Sequence, residues 1–122
     1  MQIIISSKDL ELTPDINEYI ETRFGHLEKF LKHFDNKGAL ELKVEIARTT
    51  KHHLKGAVYY AEADLALPKS VLRAETTHED LRSAIDEIHE DLERQVEKYR
   101  DSRLTNIRRG AQFIKRLFRG EK

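Results

Sequence analysis

The sequence predicts an α+β domain of order β-α-β-β-β-α, a four-stranded mixed sheet with two helices packed on one face. Three observations predict it. Two apolar stripes recur at steps of three and four residues, over 16–34 and 81–99, the mark of helices with one buried side. Between them, three segments alternate apolar and polar residues, as in a sheet covered on one face only. A short β-branched run, QIIISS at 2–7, precedes the first helix. A helical crossover between that strand and the next makes the two parallel if adjacent, whereas shorter turns make the later strands antiparallel. Each helix carries a single stripe, so both belong on the one apolar face of the sheet.

Each element has its own justification. Thr13-Pro14 opens the first helix: Thr13 suits the N-cap, and Pro14 fits the first helical position, where no N–H is needed. Ile16, Ile20, Phe24, Leu27, Leu31 and Phe34 form its stripe, with Tyr19 and Phe30 beside them. Asp35-Asn36-Lys37-Gly38 ends it, with Gly38 suited to a positive φ. Leu40, Leu42, Val44 and Ile46 then alternate with Glu41, Lys43, Glu45 and Ala47. Residues 48–56 read as a loop. Tyr59, Ala61, Ala63, Leu65 and Leu67 oppose Tyr60, Glu62, Asp64 and Ala66 in a second alternation. Pro68-Lys69-Ser70 turns the chain into a third, through Leu72, Ala74 and Thr76. From about Glu79, the residues Leu81, Ala84, Ile85, Ile88, Leu92, Val96 and Tyr99 hold a helical seam, with no Gly or Pro before Gly110.

Length and composition narrow the function. The 122 residues suit one domain. No run approaches the ~18 apolar residues of a membrane helix, and the N-terminus lacks the basic start and cleavage site of a signal peptide, so the cytoplasm is the expected location. With no cysteine, disulfide scaffolds, thiolate metal sites and cysteine nucleophiles are excluded.

The charge sums to zero, 22 basic against 22 acidic, but unevenly. Residues 1–105 hold 16 basic and 21 acidic side chains (−5), and residues 106–122 hold six and one (+5). The expected division is therefore an αβ domain over 1–105 and a basic amphipathic extension over 106–122. In that extension Ile107, Ala111, Ile114, Leu117 and Phe118 line one side of a helix, and Arg108, Arg109, Lys115, Arg116 and Arg119 cover much of the rest. Clustered cations gain affinity for a polyanion by releasing its counterions. The competing reading is a solvated extension whose apolar side packs back on the body. An anionic membrane surface suits so short and glycine-interrupted a stretch less well. Whether 106–122 extends the second helix, folds back or orders only on binding stays open at this level.

Further cations gather on the helices. Arg23, His26, Lys29 and His33 share one flank of the first, while Arg94 and Lys98 lie one turn apart on the second, facing away from its seam among Glu87, Asp91 and Asp101. With Arg82, Arg108, Arg109, Lys115 and Arg116 they make the candidate RNA-binding set. Enzyme chemistry finds no constellation. His26 and His33 stand two turns apart, His52-His53 is a tandem pair in a loop, and neither has HExxH spacing. The glycines are single and the serines lack a nucleophile elbow. Asp80, Asp86, Glu87, Glu90, Asp91, Glu93 and Glu97 are expected to face solvent. The expectation is a binding module with no catalytic residues, metal, cofactor or small-molecule substrate.

LTPDINEYIETRFGHLEKF at 12–30, LRAE at 72–75, and THEDLRSAIDEIHEDLERQ between Thr76 and Gln95, followed by VEKYRD, resemble the two helix signatures and last strand of the ribosome hibernation promoting factor family, which includes ribosome-associated inhibitor A. The resemblance covers about residues 1–105. It implies the fold derived above and a non-enzymatic translation inhibitor, seated on the small ribosomal subunit and its rRNA near the decoding centre across mRNA and tRNA positions. Arg23, Lys29, Arg94 and Lys98 match basic positions of the family's helices. His26 and Asp91 stand where the family often has lysine, and the tail is basic where inhibitor A-like members may end acidic. The second domain by which long members pair ribosomes has no room in 122 residues. The tail is then expected to restore attraction that the helices have lost. The alternative is a module without RNA affinity that self-associates or docks a partner through its helical tail.

Overall fold

The computed structural model describes residues 1–32, 34, 40–49 and 58–118; for 104–107 and 116–118 it describes the backbone alone. In chain order the elements are β1 (Gln2–Lys8), α1 (Pro14–Gly25), α2 (Glu28–Leu31), β2 (Glu41–Arg48), β3 (Tyr59–Leu67), β4 (Ser70–His78) and α3 (Leu81–Phe118). The sheet order is β1-β2-β3-β4, with β1 parallel to β2 and the remaining pairs antiparallel. This is the mixed β-α-β-β-β-α sheet that the patterning predicts.

Register aligns the apolar alternations across the sheet. Ile3, Leu42, Leu65 and Leu72 form one row, and Ile5, Val44, Ala63 and Ala74 the next. Ile20, Phe24, Leu27 and Leu31 from the first helical segment, and Ala84, Ile85, Ile88, Leu92 and Val96 from α3, close over these rows as one buried core. The small alanines of β3 and β4 leave room for the α3 seam against the sheet. The starts of α1 and α3 are capped by side chains. The Ile16 amide donates to Thr13 Oγ1 at 3.3 Å, and the Ser83 amide to Asp80 Oδ2 at 2.9 Å, which satisfies amides that have no partner inside the helix. Asp80 is thereby a cap, and its carboxyl is held below the usual range, first by the Ser83 hydroxyl.

Two features differ from the simple pattern. The first helix is interrupted at His26-Leu27, and tighter i→i−3 bonds carry the chain on, Leu27 N–H to Phe24 O and Phe30 N–H to Leu27 O, both 3.1 Å. Gly25 at the break has the weakest helix propensity after proline, yet the apolar phase survives, because Phe24, Leu27 and Leu31 are all fully buried. The C-terminal end of the molecule is simpler than the alternatives allowed. Residues 106–118 continue α3 straight through Gly110, as a 38-residue helix about 57 Å long. Gly38, His33 and the 50–57 loop with His52-His53 lie outside the described residues.

The opposite face of the sheet is open and largely acidic. Glu45, Glu62 and Glu75 lie side by side on three neighbouring strands, a row of like charges that repel. Arg73 relieves it, with Nη2 2.6 Å from Glu62 and 3.0 Å from Glu75. The Tyr60 hydroxyl sits 2.6 and 2.8 Å from the same two carboxylates.

Candidate nucleic-acid interface

Side by side on the sheet, α1 and α3 leave a groove of about 500 Å³ between the length of α1 and the first turns of α3. Asp15, Glu18, Tyr19, Thr22, Arg23 and His26 line it from one side, Arg82 and His89 from the other. Positions 19, 23 and 26 of α1 recur at steps of four and three, so they share the flank facing α3.

Tyr19 is the centre of the groove. The Arg23 guanidinium lies 4.5 Å from its ring centroid and that of Arg82 4.8 Å, so two cations from two helices meet on one electron-rich ring. Asp86 holds the arrangement: the Tyr19 hydroxyl donates to Asp86 Oδ1 at 2.5 Å, and Arg23 Nε lies 2.9 Å from the same oxygen. The Arg23 N–H does not aim at that oxygen, so Nε is buried without a formed hydrogen bond although the two charges are in contact. Burial first, then the bond to Asp86, raises the Tyr19 phenol above its ordinary value. His89 packs edge-on against Phe24, with ring centroids 5.3 Å apart, and its Nε2 is buried without a hydrogen bond, 3.6 Å from Glu93. Desolvation pushes its pKa below the usual histidine range against the pull of Glu93, so the imidazole is neutral at pH 7.

The ten candidate cations do not form one patch. Arg23, His26 and Arg82 line the groove. Lys29 lies on α2 against the Phe30 ring, 5.0 Å from its centroid. Arg94 and Lys98 are exposed on α3 about 120° and 160° round the helix from Arg82, on a separate ridge where Asp91 approaches Arg94 at 3.8 Å. Arg108, Arg109 and Lys115 are exposed on the distal part of α3, and Arg116 belongs to the same stretch of backbone. Among the described residues of that stretch, the apolar side chains do not pack back on the body: Phe113 and Ile114 are 62% and 52% exposed.

Sequence reasoning places Asp86 among solvent-facing acids, whereas its carboxylate turns toward α1 and organises Tyr19 and Arg23. The spacing of 82, 86, 89 and 93 along the α1-facing flank of α3 is the signal that could have revealed it. Among the described residues, no group of three or more His, Cys, Asp or Glu is placed to hold a metal ion, and no helix is long and apolar enough to cross a membrane.

The fold and groove define a class, an α+β domain with two helices on one sheet face and an aromatic-centred cleft between them, in which Arg23 and Arg82 stand among the carboxylates of Asp15 and Glu18. The chain belongs to the Sigma 54 modulation protein / S30EA ribosomal protein family, whose model matches residues 3–104. It is 33% identical over 106 residues to a ribosome hibernation promoting factor from Acinetobacter guillouiae, covering 85% of this chain and 91% of that one. A ribosome hibernation promotion factor from Lactococcus lactis subsp. cremoris is 32% identical over 96 residues, 79% of this chain. The chain spans only about half the length of that relative, 48%. Among solved structures, the N-terminal domain of Thermus thermophilus Protein Y superposes with a TM-score of 0.63 at 30% identity, over 81% of this chain and 99% of that one. A ribosomal subunit interface protein from Coxiella burnetii shares the fold, with a TM-score of 0.67 at 18% identity, over 83% and 99% of the two chains.

Proposed function

We propose that this protein is a short-type ribosome hibernation factor, which binds the small ribosomal subunit in the cytoplasm near the decoding centre and blocks mRNA and tRNA positions sterically. The observation that carries the reading is the meeting of Arg23 and Arg82 on Tyr19, beside His26, in an open groove between two helices. Such a surface offers fixed guanidinium donors to phosphates and sugars, the features by which structured RNA is recognised through shape. The names of the relatives point to the same partner.

In this reading the body, over residues 1–105, sets position. Arg23, His26 and Arg82 contact rRNA from the groove, Lys29 from α2, and Arg94 and Lys98 from the outer ridge. The extension over 106–122 adds long-range attraction through Arg108, Arg109, Lys115 and Arg116, offsetting the acidic charge of the body. No bond in the RNA is made or broken.

The test is sedimentation of the purified protein with small subunits through sucrose, across a salt series. Co-sedimentation at low salt that fades as salt rises is expected, together with inhibition of translation in vitro. Deleting residues 106–122 removes six cations, these four among them, and should lower the steepness of log affinity against log salt by roughly three where these four are the ones that meet phosphate. Absence of binding at low salt overturns the reading.

A further inference from the structure

We propose that Arg100, held on the Phe30 ring beside Lys29, is a second phosphate-binding station of the RNA interface, at the far end of the same helix seam as Arg82. The proposal rests on the reading of the protein as a ribosome-binding factor, and it adds a residue that charge patterning does not single out. The Arg100 guanidinium lies 5.2 Å from the Phe30 ring centroid and the Lys29 ammonium 5.0 Å. One ring on α2 thus gathers cations from two elements, as Tyr19 does in the groove. Phe30 is partly buried against the core, and one turn on the Phe34 ring meets Tyr99 edge-on at 5.2 Å, which fixes α2 against α3 at this level. Two cations about 5 Å from one centroid are about 10 Å apart at most, close enough to repel. The ring offsets part of that cost, and an anion seated between them turns the repulsion into attraction.

Arg100 is also distinguished by the donors it keeps. Arg73 is taken up by Glu62 and Glu75, and Arg103 by the Tyr99 hydroxyl and the Pro68 carbonyl. Among the described residues, the carboxylate paired with Arg100 is that of Asp101, its neighbour in sequence: Nε and Nη2 both donate to Oδ1 at 3.2 Å. Three of the five N–H groups of the guanidinium remain. Asp101 is 66% exposed, and an exposed pair of this kind contributes little, so a phosphate that accepts the guanidinium fork competes well against it.

The spacing selects the ligand. Arg82 and Arg100 are 18 residues apart on α3, five full turns, so they share the flank that faces α1 and α2 and stand about 27 Å apart. Between them lie Asp86, already engaged by Tyr19 and Arg23, and the neutral His89 beside Glu93. An anionic ligand is therefore held at the two ends of the seam and not along its middle. A free nucleotide cannot reach both ends, whereas RNA, with a charge on every nucleotide, can.

Sedimentation of the full chain with small subunits across a salt series tests the proposal. Arg100→Gln should weaken binding about fivefold and lower the steepness of log affinity against log salt by about one. Arg100→Lys keeps the charge but not the planar stack, and should lose about threefold with the steepness unchanged. Phe30→Leu alters no charge, yet should also weaken binding about threefold, and Phe30→Tyr should restore it. Added to Arg100→Gln, Phe30→Leu should cost less than about twofold more, because the ring acts largely through the guanidinium. Lys43→Gln, on the opposite face of the sheet, should stay within about twofold of wild type. Wild-type protein that binds no small subunits removes the underlying reading, and the proposal with it. Wild-type binding that Arg100→Gln leaves unchanged in affinity and steepness overturns the proposal alone. Equal losses for Arg100→Gln and Lys43→Gln also overturn it, since net charge then accounts for both. Losses from Phe30→Leu and Arg100→Gln that multiply in full overturn the role of the ring.

Discussion

The two halves of α3 carry apolar stripes of the same period and meet opposite fates. In the first half Ala84, Ile85, Ile88, Leu92 and Val96 are almost wholly buried against β3 and β4. That contact ends where Tyr99 and Arg103 reach the Pro68 carbonyl, at 3.4 and 3.3 Å, over the turn between those strands. Past this point there is no sheet beneath the helix, and every side chain described from Arg108 to Lys115 is exposed. From Ser102 to Phe118 the helix carries Arg103, Arg108, Arg109, Lys115 and Arg116 and no acidic residue. Periodicity therefore marks a stripe, and only the length of the sheet decides whether the stripe becomes core.

The largest expected effect separates the halves directly. Leu92→Ala opens a cavity in the core and should cost about 2–5 kcal/mol in urea unfolding. Ile114→Ala, outside any packed contact, should stay within about 0.5 kcal/mol. Equal losses would mean that the distal helix packs on the body, and the contrast would fail.

What is legible in the sequence follows the same division. Alternation at Leu40–Ala47 and Tyr59–Leu67, and the seam from Leu81 to Tyr99, each report one buried face, and order and topology follow from them. The break at His26-Leu27 is not legible, because the apolar phase continues across it and only Gly25 hints at weakness. Arg23, His26 and Arg82 read as cations on flanks, yet their meeting on Tyr19 depends on how closely α1 approaches α3. The role of Asp86 is hidden for the same reason: an acid on a helix flank reads as solvation until the neighbouring helix is in place. The course of 106–118 is open in the sequence because glycine is tolerated within a helix, and continuation depends on the whole length of α3.

Charge reversal sharpens the comparison at the next scale. Arg108→Glu/Arg109→Glu/Lys115→Glu should weaken small-subunit binding about tenfold and flatten its salt dependence. Arg23→Glu/Arg82→Glu should weaken binding comparably with a smaller change in slope, since fewer cations are reversed. Co-sedimentation titrations at three salt concentrations distinguish them. A distal variant that binds like wild type would reduce the second half of α3 to a solvated rod.

The open sheet face gives a smaller effect, through pH. Burial and the hydrogen bond to Glu62 push the Asp64 carboxyl up to about 6, while that same bond and Tyr60 hold Glu62 low. Between about pH 4 and 6 the folded chain keeps a proton on Asp64 that the unfolded chain has released, so stability falls as pH rises through that window. Glu62 acts with the opposite sign, and its contribution is lost as pH falls toward its own lowered value. Asp64→Asn should therefore raise stability at pH 7 by about 1 kcal/mol, less than the Asp64 shift alone implies because Glu62 offsets part of it. The gain should vanish by pH 4 in urea titrations, and a gain equal at both pH values would assign it to packing.

Gly110→Ala tests the independence of the distal half with the smallest change. Gly110 is helical, and open space surrounds the position of the added methyl, so the substitution acts only through backbone freedom. It should stabilise the local helix by up to about 1 kcal/mol. Because the described side chains from 108 to 115 are exposed rather than packed on the core, this gain should not spread to the body. Hydrogen exchange at low protein concentration should slow by roughly fivefold at the amides of 108–115, while the urea midpoint of the core stays fixed. A midpoint that moves with the exchange rates would show the whole of α3 unfolding as one unit with the sheet. A helix rising beyond its sheet should instead fray from its free end, amide by amide, because each distal turn rests on its own hydrogen bonds alone.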